Sequence, residues 1–465
     1  MRELETDYLV VGAGTSGMAF TDALLAHSDA EVVLVDRRHR PGGHWLDAYP
    51  FVRLHQPSAN YGVASRQLGF DRVDESGPNA GFYERASAAE ICEYYARVMD
   101  EQFLASGRVQ FLAMSDYRGA DGDGHHVVSL LSGEETVVRV RKKFVDATYV
   151  ESSIPSRHKP NFGVDAGVPF MPPNDLVDLG DAVSEFTVVG CGKTAMDTCN
   201  WLLDNGVDPN AIQWFRPRDP WLFKRSAFQP LDQVGSYMQL QAAWVAAAAE
   251  ASDADDFARR MEGEVLTRID PTVDPRAFRG AIISERELDG LRSIERIVRD
   301  QRVLHVGTSS IKTDGGEVAV APGGVVVDCT AAGVRAVDLK PVFEPGKVTL
   351  EYVTIGNVAY SAATIGVVEA CKGESSDDDK NALCPPVIFD GAVTGLVPLA
   401  YYGMTGLFAR TADPVIGPWS EACRLNTAGA ASQHLDDPRV TDAFAKMGAH
   451  LGAAMANLER MNAAQ

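Results

Sequence analysis

Two stretches of this 465-residue chain place small residues between an apolar strand and a helical pattern, an arrangement that binds phosphates. The first, DYLVVGAGTSGMAFTDALL (7–25), carries Gly12, Gly14 and Gly17. The second, TVVGCGKTAMD (187–197), carries Gly190, Gly192 and Ala195. Its Gly-Lys-Thr looks like the tail of a triphosphate loop. That loop needs a glycine five residues earlier, where Thr187 stands inside a strand. Both stretches instead fit the dinucleotide fingerprint. Its first glycine makes the tight turn, its second admits a pyrophosphate, and its small third residue lets helix and strand pack closely. Lys193 and Thr194 fall in the first helical turn of the second unit, beside the pyrophosphate position, and are expected to help bind the cofactor. Lys193 reads there as a solvated residue rather than a catalytic cation.

The two units differ where the fold presents the ribose. The strand EVVLVD ends at Asp36, about twenty residues after the first loop, as expected of a carboxylate that bonds ribose hydroxyls. After the second loop, AIQWFRPRDPW supplies Arg216 and Arg218 and no carboxylate before them. Arginines there neutralise a 2′-phosphate through bidentate bonds. The first unit therefore predicts FAD and the second NADPH, two dinucleotides that exchange electrons.

These loops require two Rossmann-like α/β domains to hold them. We expect a discontinuous FAD domain (1–155 and 326–465) and an inserted NADPH domain (156–325). The pattern predicts a helical insert over about 230–300, a Pro/Asn-rich linker at 154–176, and a hairpin in VLHVGTSSIKTDGGEVAV. The similar segments VDATYVESS and VVVDCTAAG mark the two crossings between domains. Apolar content of 45% and charged content of 23% are those of a globular protein. A net charge of −21 argues against nucleic acid or an anionic membrane as partner. A strand begins almost at the first residue and no apolar run reaches bilayer length, so a cytoplasmic protein is expected. Seven cysteines include no Cys-x-x-Cys pair and no zinc spacing, which excludes a closely spaced redox disulfide and predicts no metal.

Beyond Asp36, the stretch RRHRPGGHW carries Gly42, Gly43 and Trp45. With both fingerprints, the arginines, the insert and the DCTAAG crossing, it resembles the class B flavoprotein monooxygenases, the flavin-containing and Baeyer–Villiger enzymes. The resemblance implies that residues 12–17 and Asp36 hold the FAD pyrophosphate and ribose, and that Gly42, Gly43 and Trp45 lie close to the flavin. YPFVRLHQPSANY (49–61) resembles the Baeyer–Villiger stretch lining the flavin's reactive edge. Tyr49, Pro50 and Arg53 match it, and His55 replaces its acidic residue. SEREL places Arg286 where that branch keeps an arginine for the oxygenated flavin and the nicotinamide. The linker lacks the family's Phe-x-Gly-x-x-x-His motif, and Tyr149 stands where the first crossing carries glycine. The chain thus resembles a divergent branch.

The implied reaction is NADPH-dependent insertion of one oxygen atom from O2 into a small organic substrate through a C4a-(hydro)peroxyflavin. Arg53, His55 and Arg286 are the candidate catalytic groups. N- or S-oxygenation and Baeyer–Villiger insertion remain open. The alternatives are an NADPH:FAD reductase or oxidase releasing hydrogen peroxide or serving an electron partner, and a flavin-bound scaffold without turnover. The insert, the 49–61 loop and the apolar stretch VTGLVPLAYYGMTGLF (393–408) are expected to form the substrate pocket.

Overall fold

The structure is a computed structural model that describes residues 2–333, 337–354, 356–387 and 390–464. Strand β1 (Arg2–Val11) leads through the first glycine turn into α1 (Thr15–His27), then β2 (Val32–Val35), α2 (Ala88–Val98) and β3 (Val109–Leu112). An antiparallel pair, β4 (Ser115–Asp121) and β5 (Gly124–Ser129), precedes the long β6 (Glu135–Asp146). β1, β2, β3 and β6 run parallel, with β1 between β2 and β6. The first glycine turn therefore lies at the carboxyl end of a strand where the order reverses, the place such sheets bind ligands.

The linker does more than connect. Its β7 (Gly163–Val164) and β8 (Phe170–Met171) both join later sheets. The second unit follows with β9 (Phe186–Val189), α3 (Lys193–Asp204), β10 (Ile212–Arg216) and β11 (Pro220–Lys224). The predicted insert is mainly helical only in its first part, over α4 (Val234–Glu250) and α5 (Ala254–Arg260). The rest holds β12 (Leu266–Thr267), β13 (Ala277–Ile283), α6 (Glu285–Arg292) and β14 (Ile297–Arg299). β12 and β13 flank β11, and β14 extends the second parallel sheet, so pairing across the chain overrode a helical composition. The hairpin region forms three strands, β15 (Val303–Val306), β16 (Ser310–Thr313) and β17 (Gly316–Ala319), with Gly315-Gly316 at the second turn. β18 (Val325–Asp328) closes a parallel sheet of order β14-β10-β9-β18-β8. Its central β9 again carries a glycine turn at the reversal point.

The chain then returns to the first sheet. β19 (Phe343–Glu344) pairs with β20 (Lys347–Thr349), which extends β6 in parallel, and α7 (Val358–Cys371) packs on α1. α8 (Asp377–Leu383) follows. The remaining helices, α9 (Leu396–Ala412), α10 (Ile416–Ala422) and α11 (Pro438–Ala463), do not all complete the first domain. α9 and α11 bury Leu396, Val397, Leu399, Ala454 and Leu458 with Leu240, Trp244 and Phe257 of α4 and α5. Much of the 393–408 stretch is accordingly core here, with Leu407 and Phe408 left exposed. No helix among the described residues is long and apolar enough to cross a membrane.

The α1–α7 contact depends on Gly366. A Cβ there would stand 2.7 Å from the Phe20 carbonyl oxygen and 3.0 Å from the Ala23 Cβ. Backbone cannot rotate aside, so the clash outweighs the gain of about 1 kcal/mol in helix propensity. Gly366→Ala is expected to lower stability by a net of about 1–2 kcal/mol, read as an earlier urea midpoint at unchanged slope.

Candidate functional site

Each glycine turn is shaped by the crossing segment opposite it. Gly12 has φ +109°, and a Cβ on it would lie 3.0 Å from Thr148 and 3.2 Å from the Ala147 carbonyl. A Cβ on Gly190, at φ +142°, would reach the Cys329 carbonyl at 2.5 Å. The two crossings share one device. Thr148 donates from its N–H and hydroxyl to Asp146, as Thr330 does to Asp328. The crossings also join directly, Ser153 N–H donating to the Ala332 carbonyl at 3.1 Å.

The first cradle fits a dinucleotide. A Cβ on Gly17 would collide with the Gly12 carbonyl at 1.8 Å, and one on Gly43 would sit 2.8 Å from the Gly14 Cα. The loop and the 42–45 stretch thus approach as only glycines allow, around a cavity of about 110 Å³ lined by Gly12, Gly14, Asp36 and Gly43. Asp36 is buried, accepting from the Ala13 N–H at 2.7 Å and the Arg38 N–H at 2.8 Å. Each oxygen keeps a lone pair for a ribose hydroxyl. Trp45 donates from its indole to the Tyr61 hydroxyl at 2.8 Å, and Tyr61 in turn bonds Thr15, the first residue of α1, at 2.6 Å. The Gly-Gly-x-Trp stretch is thereby tied to the glycine turn.

A larger cleft of about 710 Å³ opens beside the second turn. Gly190, Gly192, Lys193 and Thr194 line it, and a Cβ on Gly192 would meet nothing within 4 Å. Packing within the chain does not require a glycine at 192, so the space beside it is open to the cleft. Trp214 anchors the turn by donating to the Gly190 carbonyl at 2.7 Å. His44 and Ser152 line both cavities, which therefore adjoin.

The arginines expected at the second ribose have separate fates. Arg218 lines the cleft, joined by Arg279 and Arg302 from β13 and the start of β15, which sequence reading missed because they lie far along the chain. Arg216 is 1% exposed, stacks on Trp214 at 4.7 Å and pairs with Asp219 at 2.9 Å. Burial, chiefly, lowers its pKa. It is a structural cation and not a free phosphate ligand, a correction that follows from its ending a strand buried throughout.

The candidate catalytic groups also separate. Arg53 lines the cleft, donates to the Arg85 carbonyl at 2.9 Å and leaves its side chain 56% exposed. His55 lines the same cleft. Burial first, then the Lys193 cation, depress its pKa to about 4, so at neutrality it is an uncharged ring rather than a titrating group. Arg286 is exposed on α6. The buried charged member of that helix turn is Glu287, which receives Arg225 and, at 3.6 Å, Arg85. Ser284-x-x-Glu287 is a capping box, and that signal was legible in SEREL. Lys193 is not solvated. Its side chain is 9% exposed and paired with Asp197, one helical turn on, which also accepts from the Tyr49 hydroxyl at 2.8 Å. Phe51 stacks on Trp201 of α3 at 4.7 Å, so the 43–55 loop is docked on the second domain.

Residues 10–64 match the family described as NAD(P)-binding Rossmann-like domain. The chain has the fold of an oxidized steroid monooxygenase bound to NADP (TM-score 0.53, 13% identity, 88% of this chain and 99% of that one). It has the fold, too, of cyclohexanone monooxygenase from Rhodococcus sp. Phi1 bound to NADP+ (TM-score 0.51, 13% identity, 81% and 85%). The chain thus shares the two-domain fold of these two monooxygenases. The chain belongs to one family with the uncharacterized proteins Rv2000 of Mycobacterium tuberculosis and Mb2023 of Mycobacterium bovis, each 42% identical over 427 residues, 91% of this chain and 78% of theirs.

Glu287 offers a test of the buried charge cluster behind Lys193. Burial opposes its charge, but Lys193, Arg225, Arg85 and the Ser284 N–H hold its pKa down to about 2 from 4.5. A carboxyl depressed on folding contributes stability that is complete above its unfolded pKa and lost as pH falls through the folded value. Glu287→Gln strands two buried arginines and is expected to cost about 3–5 kcal/mol at neutral pH. In urea titrations the wild type should lose that increment between pH about 4.5 and about 2 while the variant, lacking it, loses correspondingly less.

Proposed function

We propose that the protein is an NADPH-dependent FAD monooxygenase acting on a small organic molecule. One observation carries the reading: the cavity at the first glycine turn and the cleft at the second meet at His44 and Ser152, so two dinucleotides held by these turns would present their reactive ends to each other. Gly12, Gly14, Gly17, Asp36, Gly43 and Trp45 would hold FAD. Gly190, Gly192, Thr194 and Arg218, with Arg279 and Arg302, would hold NADPH. FAD, when bound, would supply the oxygen-activating chemistry. The chain's own part is orientation and the exclusion of water. Trp45, Tyr49, Phe162 and Phe215 give the cleft apolar walls. His44, which burial and then Arg38 bring to a pKa of about 4, stands neutral at the junction. Neutral His55 offers one N–H donor and one lone pair where the resembling branch has a carboxylate, so a proton there is held by hydrogen bonding and not by charge.

One observation favours a second reading, an NADPH:FAD reductase or oxidase. The linker, where the resembling enzymes carry a histidine motif, is used here for β7 and β8 as sheet edges. Stoichiometry decides between the two. The monooxygenase consumes one NADPH per oxygenated product with little hydrogen peroxide, whereas peroxide equal to NADPH across a broad substrate panel supports the oxidase.

Cofactor choice follows from the arginines. Arg218→Ala removes a charge-assisted phosphate contact and should raise KM for NADPH by the equivalent of about 1.5–3 kcal/mol while leaving NADH nearly unchanged. Arg216→Ala should instead lower thermal stability and affect both cofactors alike, because its partners are Asp219 and Trp214.

A further inference from the structure

Lys193 and His55 line the cleft, and the buried layer behind them holds more positive than negative charge, part of which lacks a partner. Lys193 from α3, Arg85 from the loop before α2 and Arg225 from the turn after β11 gather beside His55. Asp197 takes Lys193, and Glu287 takes Arg225 and Arg85. Three cations thus face two carboxylates, with every side chain 14% exposed or less. His55 is uncharged and does not alter the balance. Arg53 is occupied by the Arg85 carbonyl and by Glu90 at 3.8 Å, in contact with solvent. Arg225 is 1% exposed, and its Nε and Nη1 make no hydrogen bond among the described residues. A buried excess charge with idle donors is costly unless an anion completes it.

The dinucleotide phosphates have other partners in the reading above: the two glycine turns, the helix N-termini behind them, and Arg218, Arg279 and Arg302. The aromatic walls of the cleft accept a carbon skeleton, while the charge gathered at and behind Lys193 calls for a negative group. We propose that the substrate carries a carboxylate, placed between the His55 ring and the Lys193 ammonium, where it offsets the excess charge of the Lys193–Arg85–Arg225 cluster. The inference rests on the monooxygenase reading for the role of the cleft and adds the class of substrate to it.

Benzoate and benzamide are suitable probes, equal in shape and different in charge. Each is titrated into FAD-loaded full-length protein, with binding followed by calorimetry and tryptophan fluorescence and flavin loading scored beforehand by absorbance. Benzoate is expected to bind tighter by on the order of tenfold, with an affinity that falls as salt rises, while benzamide is insensitive to salt. Lys193→Met should erase the preference and leave the benzamide Kd unchanged. Equal affinities for the two probes in wild-type protein would overturn the proposal. So would displacement of benzoate by saturating NADP+, which assigns the excess charge to the dinucleotide phosphates. Protein that takes no flavin refutes the monooxygenase reading, whereas flavin-loaded protein indifferent to probe charge refutes only the carboxylate.

Discussion

The close seating of each crossing segment against a glycine turn is the constraint on which the rest of the structure depends. Gly12 lies under Ala147 and Thr148, and Gly190 lies under Cys329. Neither turn tolerates a Cβ, so each strand end, loop and helix start is held at one spacing. Because the Ser153–Ala332 bond joins the crossings, that spacing also fixes how the two sheets address each other. The adjoining cavities follow from this contact.

Charge provides a second organising element, one that stays inside the protein despite a strongly acidic surface. The chain carries a net charge of −21, yet Lys193, Arg85 and Arg225 lie together beneath the cleft. Overall charge therefore says nothing of the local field a ligand meets. The Ser284–Glu287 capping box links the two scales: one side chain ends a helix and balances buried arginines.

The dinucleotide framework was legible in the sequence because its determinants are local. Strand, small residues and helix occupy about twenty positions, and the residues that must be small are constrained by neighbours within that window or by the crossings, whose shared Asp-x-Thr pattern was visible. Arg216 and Arg218 were both legible as cations after a strand, but not their division of labour, which depends on Asp219 and Trp214. Arg279 and Arg302 gave no signal, since they reach the cleft through β13 and β15, strands concealed by helical or hairpin composition. Arg286 was misplaced because the motif around it describes a helix cap, in which the inward residue is the glutamate. Lys193 was read as solvated, and its partner Asp197 lay four residues away on the same helix face.

The clasp between α4 and α11 affects how the chain is made. Leu240, Trp244 and Val245 form an apolar surface on α4 whose cover includes Ala454, Leu458 and Met461. About two hundred residues of translation separate the surface from that cover. During synthesis the surface must therefore stand open at the ribosome while the parallel sheets on both sides of it already pair, a period in which chaperone capture and misassociation compete with the native partner.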